Sequence, residues 1–140
     1  EWLLKKEEIF KYNDLITHKN FYQECLKQRK ILINLLKNLK NMKKTVLGYG
    51  ASTKGNVILQ FCNIDSNLIP YIGEVNKYKY NKYTPGSGIK IISEKELKNK
   101  KPDYLLVLPW HFKNFIIKKE QKFIKNGGKL IFPLPDIEII

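Results

Sequence analysis

Arginine is almost missing from this 140-residue chain: Arg29 is the only one among 26 basic side chains. Base-specific readout and bidentate phosphate recognition favour the planar arginine fork. The formal charge of +13 therefore points only weakly to nucleic acid. The lysines are spread along the whole chain and, with abundant Asn and Ile, read as a solvated surface shaped by A/T-rich codons. A basic nucleic-acid-binding module remains one alternative. Long hydrophobic runs are also missing. No stretch of 18 apolar residues exists, so no membrane-spanning helix is expected. The opening EWLLKKEEIFKYND mixes acids and lysines within its first turns, unlike a secretory signal peptide. Cysteine is limited to Cys25 and Cys62. Two distant thiols cannot form a Cys₄ zinc site, and both fall on apolar sides of helical patterns. They are expected to be buried and reduced in a cytoplasmic protein, and no metal site is expected.

A hydrophobic content of 43% is ample for a packed core. Residues 2–12 are helix-compatible, and 20–40 carry Tyr22, Cys25, Arg29, Leu32, Leu36 and Leu39 three or four apart, the spacing of one helix face. Segments 44–48, 68–74, 89–93, 104–109 and 129–135 are short and apolar enough to be strands. Helical patterns separate several of them. Ser93 and Glu96 form a capping-box signature. The stretch after Pro109 predicts one helix with Phe112, Phe115, Ile116, Phe123 and Ile124 inward, stopped by Gly127-Gly128. Alternating strands and helices predict a Rossmann-like three-layer α/β domain with a parallel sheet over 43–140. A helical segment, 1–42, precedes it.

The loop GYGASTKGN joins the first strand to its helix. Ligands of such folds bind beyond the carboxyl ends of the strands, where strand order reverses. Gly48 and Gly50 permit a tight turn near the backbone. Ser52 or Thr53 can cap the helix. Lys54 stands at a helix start, where a cation is disfavoured unless an anion is bound there. Tyr49, Gly50, Ala51, Ser52, Thr53, Lys54 and Asn56 thus form a candidate phosphate loop; the alternative is a glycine turn with a solvent-facing lysine. The dinucleotide fingerprint GxGxxG fails at Thr53, and Gly55 follows two positions late. The Walker pattern fails because the lysine precedes the glycine. Glu74 ends the second strand, where an acid can hold a ribose. A domain binding NAD or coenzyme A in another enzyme is a further alternative.

The other strand ends add candidates. Trp110 could stack on a base or sugar, and His111 could cap a helix, bind phosphate or transfer a proton. Tyr83, Pro85 and Gly86 sit in a Lys- and Tyr-rich loop suited to closing over a ligand or to gripping a single strand of nucleic acid. His18 lies apart in the helical segment and reads as structural.

Taken in order, GYGASTKGN, the strand ending in Glu74, KYTPGSGIKI, DYLLVLPWHFKNFI and GGKLIFPLP resemble the C-terminal domain of deoxysugar C-methyltransferases, over residues 20 to 135. These enzymes use S-adenosylmethionine to methylate nucleotide-linked sugars. The resemblance implies a Rossmann-like domain that does not itself bind the methyl donor. It implies a nucleotide-diphosphate sugar as ligand, and zinc-binding and methyltransferase domains of the same chain as partners. By that resemblance the chain is a fragment of a longer enzyme, binding substrate without catalytic residues of its own.

Overall fold

The computed structural model describes all 140 residues. Two helices come first, α1 (Trp2–Ile9) and α2 (Leu15–Asn41). The sheet then begins with β1 (Val46–Tyr49), followed by α3 (Thr53–Phe61), β2 (Tyr71–Glu74), β3 (Lys90–Ser93), α4 (Glu94–Asn99) and β4 (Tyr104–Val107). The chain ends with α5 (Lys113–Lys119), α6 (Gln121–Lys125), β5 (Lys129–Phe132) and β6 (Glu138–Ile139). The strand order is β3-β2-β1-β4-β5-β6. The first five strands run parallel, and β6 pairs antiparallel with β5. This is the expected α/β architecture, with its order reversing between β1 and β4.

Side chains alternate across the sheet, as the strand period of two requires. Val46, Ile72, Leu106 and Ile131 face one layer, built from α2 and α3 through Leu32, Leu36, Leu39, Ile58 and Leu59. Leu47, Tyr49, Leu105, Val107 and Leu130 face the other, where Leu97 of α4 and Ile116 of α5 pack. Glycine sets the spacing within the sheet. A Cβ at Gly73 would lie 2.5 Å from Leu97 Cδ2, and one at Gly48 2.5 Å from Ile72 Cγ1.

Several expectations need correction. The helix after Pro109 is not continuous. Residues Trp110–Phe112 form a 3-10 turn, whose three-residue repeat shifts the helical phase and leaves Phe112 and Phe115 exposed. A second break at Glu120 (φ −97°, ψ 19°) turns that carboxylate into the core. The expected face of α2 is buried only from Leu32 onward. Tyr22 is exposed, Cys25 half-buried and His18 exposed; Cys62 is buried as expected. The last strand, β6, lies in a segment too short for any periodic signal.

Candidate functional site

The crevice at the switch point is built from the chain leaving β1 and the chain leaving β4. Gly50 makes the turn at φ +81°, a conformation that L side chains rarely adopt. Its N–H donates to the Gly73 carbonyl at 2.8 Å. A Cβ there would meet Pro109 Cδ at 2.7 Å, so the two loops touch. Ser52 caps α3: its extended backbone (φ −94°, ψ 154°) presents Oγ to the Gly55 N–H at 3.0 Å. Thr53, the other capping candidate, is already the first helical residue. Gly55 lies against β4's end, where a Cβ would sit 2.6 Å from Leu108 Cβ. Close helix–strand approach is the task of the third glycine in dinucleotide loops. Here Gly55 performs it two positions later, from within the helix.

The first turn of α3 keeps free donors. Gly55 N–H goes to Ser52 Oγ and Asn56 N–H to the Ser52 carbonyl, while the amides of Thr53 and Lys54 make no hydrogen bond. Both side chains are exposed, and Lys54 makes no ion pair among those the fold contains. Asn56 Oδ1 is enclosed without a donor.

Glu74 is buried and fully engaged. Its Oε2 accepts from Ala51 N–H at 3.0 Å, and its Oε1 from Val75 N–H at 2.8 Å and Asn76 N–H at 3.0 Å. Lys79 Nζ stands 3.5 Å from Oε2 and donates to the Ala51 carbonyl at 2.8 Å. Those bonds occupy the acceptor positions that ribose hydroxyls would need. Glu74 thus clasps the loop that follows β1, with its acceptors turned to the Ala51 amide there and to the amides of its own loop. Lys79 is the residue that sequence reasoning missed. Nothing in the repeated Lys-Tyr pattern of its loop separates it from its neighbours; only the fold brings it under Ala51.

The other candidates divide. Trp110 packs against the edges of both core layers, at the crevice rim beside Pro109. His111 is exposed, caps no helix, and its ring lies 4.3 Å from that of Phe112. Tyr49 is buried, with its side chain in the layer beneath the loop. Its hydroxyl donates to Glu120 Oε1 at 2.8 Å. Burial, and then the Glu120 carboxylate, push the phenol far above its ordinary range, so it remains a donor. Lys98 Nζ meets the same carboxylate at 2.9 Å, and Lys119 lies over the Tyr49 ring at 5.4 Å. Tyr83 and Pro85 do not reach the crevice. The Pro85 carbonyl accepts from Gln60 Nε2 at 3.0 Å, which fixes that turn at the far end of α3, about 10 Å along the helix from Thr53. Buried Thr84 holds it, accepting from the Ile89 N–H at 2.9 Å.

No group of three or more His, Cys, Asp or Glu side chains is placed to hold a metal ion, and no helix is long and apolar enough to cross a membrane. The family described as "C-methyltransferase C-terminal domain" matches residues 1–135. The protein C-methyltransferase NovU of Streptomyces niveus is 39% identical over 97 residues, which cover 69% of this chain and 23% of that protein.

Proposed function

Because the chain belongs to the C-methyltransferase C-terminal domain family, we propose that it holds the acceptor substrate of a larger S-adenosylmethionine-dependent enzyme, and that the acceptor is a sugar linked to a nucleoside diphosphate. The carrying observation is the start of α3. Two unbonded amides, Thr53 and Lys54, open at the switch point of a doubly wound sheet, and the Lys54 side chain is exposed and makes no ion pair. Lys79, anchored on the Ala51 carbonyl and paired with Glu74, holds the same loop in place. Unpaired amides, the positive end of the helix dipole and the unpaired Lys54 ammonium suit a phosphate group of such a diphosphate. Trp110 offers an aromatic rim for the sugar or base.

The residues of this crevice do not fit the methyl donor. An adenosine ribose would need the strand-end carboxylate, and Glu74 already accepts from three amides. The same saturation weighs against an NAD site. The role of these residues is to bind and orient the acceptor. Glu74 and Lys79 hold the loop rigid, Ser52 keeps α3 capped, and Lys54 grips the anion. Methylation of a carbon α to a sugar ketone, served by groups outside this chain, is the reaction such an arrangement would support.

The test is calorimetric titration of the parent enzyme with a nucleoside-diphosphate sugar. Lys54→Ala weakens binding by about 1–3 kcal/mol, the usual cost of losing a charged hydrogen bond. Unchanged affinity would refute the phosphate role.

A further inference from the structure

The lysines are spread along the sequence but segregated in space. The parallel strands all start at one edge of the sheet, and α2, α3, α4 and α6 end there, each leading into a strand. Lys43, Lys100, Lys101, Lys122, Lys125 and Lys129 are exposed at that edge, and none makes an ion pair. The acids of the same turns are Asp65 and Asp103. Asp65 is engaged by Asn67, and Asp103 by the Thr45 N–H at 2.8 Å and Lys44 at 3.1 Å. The opposite edge, which carries the crevice, is mixed: Glu74, Glu94 and Glu138 each hold a lysine there. Two ordinary causes do not account for the difference. Cations in a last helical turn complement the dipole, which covers Lys122 and Lys125 of α6 but not the lysines of the turns beyond. Codons rich in A and T supply asparagine as readily as lysine. All four helices close on a left-handed residue: Lys43 (φ 57°), Asn63 (φ 51°), Lys101 (φ 51°) and Gly127 (φ 90°). Gly and Asn suit that conformation, yet lysine stands there at two of the four turns. Beside Lys43, Met42 is 67% exposed.

We propose that this lysine edge binds the surface of an anionic lipid bilayer, with its ammonium groups among the headgroup phosphates and Met42 reaching the acyl boundary. The occupant follows from charge and from side-chain type. Lysine is a point charge, suited to the diffuse field of an anionic leaflet, to which each exposed lysine adds attraction. An apolar side chain flanked by lysines is the pattern of an interfacial contact. Nucleic acid would call for arginine forks or stacking aromatics. The aromatics nearest this edge, Tyr71 and Phe123, are half-buried, and Lys100 lies over the Tyr71 ring at 4.0 Å. A second copy would bring another +13 against the first. Because the crevice lies at the opposite edge, a chain bound in this way keeps Gly50–Lys54 and Trp110 turned away from the lipid.

Flotation of this chain with lipid vesicles tests the proposal. The chain floats with vesicles of about 30% phosphatidylglycerol in phosphatidylcholine at ~50 mM salt, and ~500 mM salt releases it. No flotation, or equal flotation with phosphatidylcholine alone, overturns the proposal. So does flotation that survives the salt, because that is the mark of apolar insertion by the exposed residues 1–22. Lys43→Asn/Lys101→Asn lowers the ratio of bound to free chain at least about fivefold. Lys77→Gln/Lys95→Gln removes the same charge from the crevice edge and changes the ratio less than about twofold. Equal losses overturn the assignment to this edge. Asparagine suits both left-handed positions, so the first variant melts no lower than the wild type, and lost binding is not lost fold. A DNA duplex bound more tightly than the vesicles, through the same two lysines, gives the edge to nucleic acid and overturns the lipid assignment.

Discussion

Tyr49 ends β1 one residue before the loop turns, and its hydroxyl lies 2.8 Å from a carboxylate that is itself 1% exposed. A buried charge of this kind is tolerated because partners satisfy it: Tyr49 from β1 and Lys98 from α4. Together they stitch the sheet to the break between α5 and α6. Tyr49→Phe keeps the ring and removes one donor to an ionised acceptor. The expected cost is about 1.5–3 kcal/mol of folding stability, read from the denaturation midpoint of this chain. The pair was not legible in the sequence. In the sequence Tyr49 reads as part of the candidate phosphate loop, whereas its side chain lies buried in the layer below, and Glu120 sits among lysines with no signal to single it out. Only the break at Glu120 turns it inward, 71 residues from its partner. Glu74 shows the same limit. Its place at a strand end was legible, and its burial beneath three amides was not, because those amides come from loops.

Among the elements, the junction of β1 with α3 carries the most structure per residue. Gly50 at φ +81° abuts Pro109, and Gly55 abuts Leu108, so one glycine admits the turn and the other admits the helix. Gly50→Ala is expected to cost at least about 1–2 kcal/mol from the left-handed backbone alone, with the Pro109 contact adding to it. Urea unfolding measures the loss, and a stability equal to wild type would show that the loop relaxes. The glycine spacing could be read from the sequence as departing from GxGxxG. That Gly55 still performs the packing task depends on where the ridge of α3 meets β4, which no spacing rule encodes. The capping signals fared better, because caps are local. Ser52 accepts from Gly55 N–H, and Ser93 forms its capping box with Glu96.

For the whole molecule, the core is confined to the sheet domain and the carboxyl-terminal part of α2, and the helical arm before Leu32 lies outside it. Since α1 buries nothing, deleting residues 1–13 should change the folding stability of this chain by less than about 0.5 kcal/mol. A thermal melt of the truncated chain decides it, and a large loss would mean that α1 packs on the sheet domain in solution. The sequence by itself determined the layers. Short continuous apolar runs, the long 3.6-period stripe and the terminal glycines are repeated local signals, each set by the burial of neighbours along the chain. It also carried enough ordered motifs to place the chain in its family. Only the tertiary structure decided which candidates share a crevice. It carried Tyr83 and Pro85 to the far end of α3, tied Glu74 to its own loop, brought Lys79 beneath Ala51 and left half of α2 uncovered. The contacts of Ala51 with Glu74 and Lys79 and of Gln60 with Pro85 join segments distant in sequence, where position depends on how the sheet stacks and not on the pattern of neighbouring residues.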